Sequence, residues 1–225
     1  AMKMSQQQQQ QETVRFNPAD ASTPGVTSSI DWCERNKGGL VVEPVNTVSN
    51  LAFIVPAVVG FCWSRGKFRL MFAIVAVIGV GSALFHGTLS FSSQLADELP
   101  MIWGALGWTY VVYGIRWQVL VAFALLEAAW HVRSRPTTAF QVLFAILAFG
   151  VLPKTRQNFC HCDDDAAKGL CRRYVLCGLL ALIAWLLDNA FCVQLQALGP
   201  FYPHLHAVWH VLMGANCYFG ITFGC

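Results

Sequence analysis

Polar residues of types that carry out catalysis interrupt a strongly apolar part of the sequence. The segment GSALFHGTLSFSSQLADELP places Ser82, His86, Asp97 and Glu98 within seventeen positions of one another. Charged side chains are costly inside a lipid bilayer, so ionisable residues in an apolar segment favour a functional interpretation. A serine, a histidine and two carboxylates can bind a metal ion and transfer protons, which are the operations of a hydrolytic site.

Two pairs of these residues have the spacing of neighbours on one helix face. Ser82 and His86 are four residues apart, and so are His206 and His210 in the segment HLHAVWH. Three imidazoles from two helices provide three corners of a tetrahedron and leave one corner open, which is the arrangement of a catalytic zinc site. We therefore predict that His86, His206 and His210 bind zinc. The alternative is that each histidine only forms hydrogen bonds within a helix bundle.

The composition is that of an integral membrane protein. Of the 225 residues, 56% are hydrophobic and 12% are charged, about half the charged fraction of a soluble domain. Because a helical span needs about 20 mostly apolar residues, we predict an all-α bundle of seven transmembrane helices. The predicted spans are residues 46–63, 68–89, 95–115, 117–131, 137–152, 174–193 and 206–225.

The chain divides into a tail and a membrane domain. Residues 1–28 contain a run of glutamines and are predicted to be disordered, and residues 29–225 are predicted to form the seven-helix domain. The formal net charge of +3, without a long basic run, argues against a nucleic-acid partner. The sequence implies no obligate protein partner.

The distribution of Lys and Arg between the loops predicts the orientation in the membrane. The loops after the first, third and fifth spans, counted together with Arg69 at the start of the second span, hold nine of these residues, and the loops after the second, fourth and sixth hold only Arg133 and Arg135. Because basic residues concentrate in cytosolic loops, we expect a lumenal N-terminus and a cytosolic C-terminus. Even-numbered spans then end, and odd-numbered spans begin, on the lumenal side, where every candidate residue named above lies.

Two cysteines share that lumenal side. Cys33 precedes the first span, and Cys192 ends the sixth. Disulfides persist in an oxidising compartment, so we predict a bridge between Cys33 and Cys192 that ties the N-terminal segment to the bundle. The alternative is two free thiols, because sharing a side does not by itself bring two Cα atoms within about 7 Å of each other.

A group of oxygen donors also precedes the first span. Asp31, Glu34, Asn36 and Glu43 offer four hard ligands within thirteen residues, in a loop that can wrap around an ion. Calcium takes six to eight oxygen ligands. The loop is therefore a candidate calcium site.

Three other groups of titratable or metal-binding residues receive a structural interpretation. The Cys-His-Cys spacing at the start of residues 160–171, CHCDDDAAKGLC, is too compressed for an ordinary zinc knuckle, so we assign the segment to a solvated cytosolic loop. Glu127 and His131 are four residues apart and could be partners on one helix face, but we expect a plain packing role. His204 lies outside the pair formed by the other C-terminal histidines and is assigned to a loop.

Five motifs follow one another along the chain: DWCERN, EPVNTVSN, GSALFHGTLSFSSQLADELPM, WLLDNAFC and HAVWH. Together they resemble the motifs of the alkaline ceramidases, seven-span hydrolases of the superfamily that includes the adiponectin receptors. The resemblance runs from about residue 29 to the C-terminus, and it implies a seven-helix bundle with zinc at the base of an intramembrane cavity. The family's zinc ligands correspond to His86, His206 and His210, its catalytic residues to Ser82 and Asp97, and its calcium ligands to Asp31, the Trp32 carbonyl, Glu34, Asn36 and Glu43.

The resemblance implies a function and a location. The function is zinc-dependent hydrolysis of ceramide or phytoceramide within the membrane, which yields a sphingoid base and a free fatty acid, with calcium in a structural or regulatory role. The partners are then a membrane lipid substrate and the bilayer itself, in the endoplasmic reticulum or the Golgi. Asp97 would take a proton from the attacking water and pass it to the leaving amine, and Ser82 would donate a hydrogen bond to the oxyanion.

Two other interpretations remain open. A seven-span receptor of the same superfamily would share the Ser-x3-His and His-x3-His elements, although the DWCERN and NTVSN segments favour the enzyme. A lipid-remodelling protein of the superfamily would act on a different lipid amide or ester. An assay of lipid products separates these classes.

Overall fold

A computed structural model describes residues 27–37, 39–134 and 137–224. In these ranges the long apolar runs of the sequence form helices. Ten α-helices and a 3-10 turn, Gly199–Phe201, occupy these ranges, which hold no β-strand. The predicted all-α class is confirmed, and the predicted disordered tail lies outside the described residues except for 27 and 28. The helices are α1 Pro44–Ser49, α2 Leu51–Trp63, α3 Gly66–Thr88, α4 Phe91–Tyr113, α5 Trp117–Ser134, α6 Thr137–Gly150, α7 Leu152–His161, α8 Asp165–Ala190, α9 Cys192–Gln196 and α10 Leu205–Gly224.

Among the described residues, four stretches of helix are long and apolar enough to cross a membrane. Most of their residues are not buried inside the bundle, so their apolar side chains face outward, as a lipid environment requires. The protein is therefore an all-α membrane protein, and the count of seven spans stays a prediction. The four stretches are Pro44–Trp63, Gly66–Thr88, Thr137–His161 and Asp165–Ala190.

The segment predicted to be a cytosolic loop is mostly helical. Helix α7 continues to His161 and α8 already begins at Asp165, so only residues 162–164 connect them. Asp164 caps α8 by accepting a hydrogen bond from the N–H of Ala166 at 2.8 Å, and Cys171 is buried. The loop assignment is wrong because hydropathy detects the apolar part of a helix and not its polar ends.

A tight reversal joins α3 to α4. Leu89 adopts a left-handed conformation with φ of 44° after the last turn of α3. Ser90 then starts α4 by accepting a hydrogen bond from the N–H of Ser93 at 3.2 Å. Because only two residues separate the helices, the last two turns of α3 lie beside the first two turns of α4.

Helix α3 lies in the middle of the bundle. It packs against α2 on one side and α4 on the other, and α10 packs along both α8 and α2. This arrangement brings the start of α10 to the end of α3. The buried apolar cluster that holds these helices together consists of Phe53, Ala57, Met71, Phe72, Val75 and Ile221.

Candidate active site

Three buried histidines from α3 and α10 meet at one end of the bundle. The ring centroid of His86 lies 5.0 Å from that of His206 and 4.9 Å from that of His210, and the last two lie 4.6 Å apart. One ring nitrogen of each residue lies within 4.8 Å of the others. The structure thus brings together the three residues that were predicted to share a metal ion.

The surroundings of these rings fit a zinc ion. His86 Nδ1 lies 2.5 Å from Glu43 Oε2, and His210 Nδ1 lies 2.6 Å from Ser49 Oγ. In contrast, His206 Nδ1 and His210 Nε2 are buried without a hydrogen-bond partner. A buried polar atom without a partner costs free energy unless it binds something. Imidazoles held by a second hydrogen bond and with a free nitrogen are the usual ligands of zinc in proteins.

The predicted catalytic pair lies beside the histidines. Ser82 is on α3, one turn before His86, and Asp97 is on the second turn of α4. Both are buried, and the Ser82 hydroxyl lies near the Asp97 carboxylate. The structure therefore places a hydroxyl group and a carboxylate next to each other near the C-terminal end of α3.

Two adjoining cavities meet at this pair. The larger has a volume of about 210 Å³ and the smaller about 130 Å³, and Asp97, Trp209 and Met213 line both. We call them the larger and the smaller lobe. His206 lines the larger lobe, Ser82 lines the smaller one, and most of the remaining wall is apolar. A molecule with hydrocarbon chains and a central polar group matches this division.

The candidate calcium ligands converge in front of α1. Asn36 Nδ2 donates to Asp31 Oδ2 at 3.0 Å, while Asn36 Oδ1 and Glu43 Oε1 are buried without a partner. Burial, and then the charge of Glu43, raises the pKa of Asp31 to about 7, and burial raises the pKa of Glu43 to about 8. Neighbouring carboxylates with raised pKa values, together with unpaired buried oxygens, are features of a site suited to a cation.

Glu34, a candidate calcium ligand, also forms hydrogen bonds to the start of α1. Its Oε1 accepts a hydrogen bond from the N–H of Val45 at 2.9 Å, and its Oε2 accepts one from the N–H of Asn46 at 2.7 Å. These N–H groups belong to the first turn of α1, where a carboxylate is favoured. Glu34 therefore fixes the loop to the start of the first membrane helix.

The predicted disulfide is present and holds the loop to the bundle. Cys33 is bridged to Cys192, with their Cα atoms 5.4 Å apart. Gln196 Nε2 also donates a hydrogen bond to the Cys33 carbonyl at 2.7 Å. Next to the bridge, the indole of Trp32 stacks on the ring of His206 with centroids 3.8 Å apart. The oxygen-donor loop and the histidine cluster are thus one connected unit.

Sequence reasoning did not assign a role to Asp188, near the end of α8. Its carboxylate accepts a hydrogen bond from the hydroxyl of Tyr202 at 3.2 Å, and the main-chain N–H groups of His206 and Cys33 lie near it. It therefore ties the start of α10 to the N-terminal loop. The motif WLLDNAFC marked the residue as unusual, but the sequence carries no signal for main-chain partners so distant along the chain.

Glu127 and His131 are i, i+4 partners, the alternative to a plain packing role, and a third residue joins them. His131 Nε2 donates a hydrogen bond to Glu98 Oε2 at 2.6 Å, and its Nδ1 lies 3.2 Å from Glu127 Oε1. All three residues are buried, so they form a polar network between α4 and α5. The i, i+4 spacing identified two members, but the third comes from another helix.

The fold and site define an all-helical membrane protein with a buried cluster of three histidines beside an apolar cavity. The Ceramidase family model matches residues 25–225. The chain is 32% identical over 212 residues to an alkaline ceramidase of Arabidopsis thaliana, covering 88% of this chain and 83% of the relative. It is 28% identical to alkaline ceramidase 3 of Mus musculus (88% and 82% covered) and 29% identical to alkaline ceramidase 1 of Homo sapiens (87% and 81%).

The chain therefore belongs to the ceramidase family and is an enzyme of that family. The resemblance predicted from the five motifs is confirmed. The matched region begins just before the oxygen-donor loop and includes all three histidines.

Proposed function

We propose that the protein hydrolyses the amide bond of ceramide or phytoceramide at the three-histidine site, with zinc as its cofactor. The observation that carries this proposal is the cluster of three buried histidines beside a Ser–Asp pair, where two apolar lobes meet. Membership of the ceramidase family supports the choice of substrate. Water is consumed, and the products are a sphingoid base and a fatty acid.

The shape of the cavity supports a substrate with two hydrocarbon chains. Ceramide carries an acyl chain and a sphingoid chain that diverge from one amide group. The two lobes lie side by side and share Asp97, and Phe144 and Met213 line both of them. Burial of hydrocarbon in these lobes would hold the amide beside the polar residues.

Each residue of the site has a distinct task in this proposal. His86, His206 and His210 would hold the zinc ion, which when bound polarises a carbonyl and lowers the pKa of water. Asp97 accepts a proton from the attacking water and delivers it to the amide nitrogen as the carbon–nitrogen bond breaks. Ser82 turns its hydroxyl from Asp97 to the carbonyl oxygen and donates a hydrogen bond as negative charge develops there.

We further propose that the N-terminal loop binds calcium in a structural or regulatory role. The ligands would be side-chain oxygens of Asp31, Glu34, Asn36 and Glu43 and the carbonyl of Trp32. The unpaired oxygens of Asn36 and Glu43 support this proposal. Because Glu43 Oε2 contacts His86 while its Oε1 is free, one carboxylate would join the calcium loop to the zinc site.

The disulfide supports a location in the secretory pathway. A bridge between Cys33 and Cys192 requires an oxidising compartment on that side of the membrane. We therefore infer residence in the endoplasmic reticulum or the Golgi, with seven spans, a lumenal N-terminus and a cytosolic C-terminus. Protease protection of tags placed at each terminus, in sealed microsomes, tests this orientation.

Product analysis tests the proposed reaction. The purified zinc-loaded protein is incubated with a panel of ceramides and phytoceramides, and both products are quantified by mass spectrometry. We expect equal amounts of sphingoid base and fatty acid from at least one substrate, and no product with His86→Ala. A folded, zinc-loaded protein that leaves the whole panel intact would contradict the proposal and favour a receptor or an enzyme for another lipid.

A further inference from the structure

A second carboxylate lines the larger lobe and has no part in the proposed mechanism. Glu98 follows Asp97 on α4 and is 4% exposed. It lies in the wall of the lobe together with Trp32 and His206. Successive residues of a helix point about 100° apart, so Glu98 does not duplicate the position of Asp97. It presents a separate acceptor beside the place where the amide would lie.

The surrounding network holds this carboxylate in a fixed orientation. His131 Nε2 donates to Glu98 Oε2 at 2.6 Å, and Gln94 Nε2 donates to Glu98 Oε1 at 3.0 Å. Gln94 is itself fixed, because its Oε1 accepts a hydrogen bond from the N–H of Ser29 at 2.8 Å. A carboxylate that is held from two directions by α5 and by its own helix cannot turn away from the lobe.

Glu98 still has acceptor capacity. A carboxylate offers about four lone-pair sites, and the two hydrogen bonds described above occupy two of them. A hydroxyl that enters an apolar cavity must find an acceptor, since an unpaired polar group costs free energy. An oriented carboxylate in the cavity wall supplies that acceptor without further rearrangement.

The proposed substrate carries hydroxyls at the matching place. In a sphingoid base, the carbon that bears the amide nitrogen is bonded to two carbons, C1 and C3, and each of these carries a hydroxyl. If the amide lies beside Asp97, these hydroxyls lie close to the next residue of the same helix turn. A simple N-acyl amine has no such donors.

We propose that Glu98 is a specificity-determining residue whose carboxylate accepts a hydrogen bond from a sphingoid hydroxyl next to the scissile amide. This inference rests on the proposed function and names the part of the substrate that the site selects. A substrate hydroxyl that binds Glu98 gives a reason for a buried carboxylate at this position, where an apolar side chain would cost less free energy to bury. The enzyme would then distinguish ceramides from lipid amides that lack these hydroxyls.

Deoxyceramides test this inference. The values of kcat/KM are measured for ceramide, 1-deoxyceramide and 3-deoxyceramide of the same chain lengths, with the wild-type protein and with Glu98→Gln. For the wild type we expect a loss of about 10- to 100-fold on the analogue that lacks the bound hydroxyl, the size expected for a hydrogen bond to a charged group. The two analogues distinguish the C1 hydroxyl from the C3 hydroxyl.

In Glu98→Gln, the values of kcat/KM for ceramide and for the deoxy analogue should differ by no more than about 3-fold. The side-chain amide keeps one oxygen, which accepts the hydrogen bond from His131 or Gln94, and its NH2 group is a donor at the position where the substrate hydroxyl needs an acceptor. The loss should fall on ceramide and spare the deoxy analogue. Glu127→Gln is the matched control. Glu127 is a buried carboxylate of the same network and contacts the other ring nitrogen of His131. It does not line either lobe, so Glu127→Gln should keep the wild-type preference for ceramide over the deoxy analogue.

The outcomes separate the inference from the proposed function. Equal kcat/KM for all three lipids in the wild type, or an equal loss on all three in Glu98→Gln, would overturn the role of Glu98 and leave ceramide hydrolysis intact. Failure of the wild type to hydrolyse any of the lipids would contradict the proposed function, and the inference with it. If Glu98→Gln does not fold, Glu98→Asp, which keeps the charge but withdraws it by one methylene, should show the same selective loss on ceramide.

Discussion

Gly81 packs directly against the main-chain carbonyl of Ala96, with no room for a β-carbon between α3 and α4. Ser82 follows Gly81 and Asp97 follows Ala96, so this close approach lies one residue before each member of the proposed catalytic pair. The obstacle is rigid backbone, which cannot move aside as a flexible side chain can. The distance between Ser82 and Asp97 therefore depends on this glycine.

Gly81→Ala should push α3 away from α4 and separate the catalytic pair. We expect kcat to fall at least 10-fold and the free energy of unfolding to fall by about 1–3 kcal/mol, the usual cost of overpacking. Gly107→Ala on α4 is the control, because its new methyl group would meet Sδ of Met71, 3.1 Å away, at the end of an adaptable side chain. Steady-state kinetics and thermal melting of both variants check this, and equal activity in the two would refute the dependence on Gly81.

His86→Ala should remove most of the zinc and all of the activity, because two imidazoles cannot keep the geometry of a three-histidine site. Elemental analysis of the purified variant measures the metal content directly. His161→Ala is a suitable control, since His161 is exposed at the end of α7. Full zinc occupancy in His86→Ala would exclude His86 from the ligand set.

Asp97→Asn should retain zinc and stop turnover. The amide has nearly the same shape as the carboxylate but cannot accept the proton from water. We expect kcat to fall by at least about 100-fold, the lower end of the contribution of a general base, with an unchanged zinc content. Near-normal turnover would mean that another residue is the base, and Glu98 would be the first to test.

Glu43→Ala should abolish the response of the protein to calcium. In the wild type we expect added calcium to raise the melting temperature and a chelator to lower it, because the ion would neutralise buried carboxylates. In the variant, one oxygen ligand and the hydrogen bond to His86 are both lost. A melting temperature that rises with calcium as in the wild type would show that Glu43 is not a ligand.

The sequence predicts the contents of the site better than its connections. The i, i+4 spacing of Ser82 with His86 and of His206 with His210 predicts which side chains share a helix face. That α10 meets α3 depends on helix packing, which the prediction of a shared zinc ion assumed and which the spacing alone does not specify. The histidine ring nitrogens without a hydrogen-bond partner, and the contact between His86 and Glu43, could be found only from the structure.

Two failures have physical reasons. Residues 160–171 were assigned to a loop because they fall between two predicted spans, yet a capping aspartate and ordinary helix formers extend α8 beyond its apolar part. The hydrogen bond between Glu98 and His131 joins residues 33 positions apart. Such a pair depends on how two helices are rotated about their axes, which hydrophobic periodicity specifies only coarsely.

The central claim, hydrolysis of a ceramide amide at the three-histidine site, is tested most directly by isotope labelling. The purified zinc-loaded protein is given ceramide in water enriched in oxygen-18, with Asp97→Asn and His86→Ala as controls, and both products are analysed by mass spectrometry. We predict one oxygen-18 atom in the fatty acid, none in the sphingoid base, and no product above background with either variant. Absence of both products from the wild type, or a fatty acid without the label, would contradict the account.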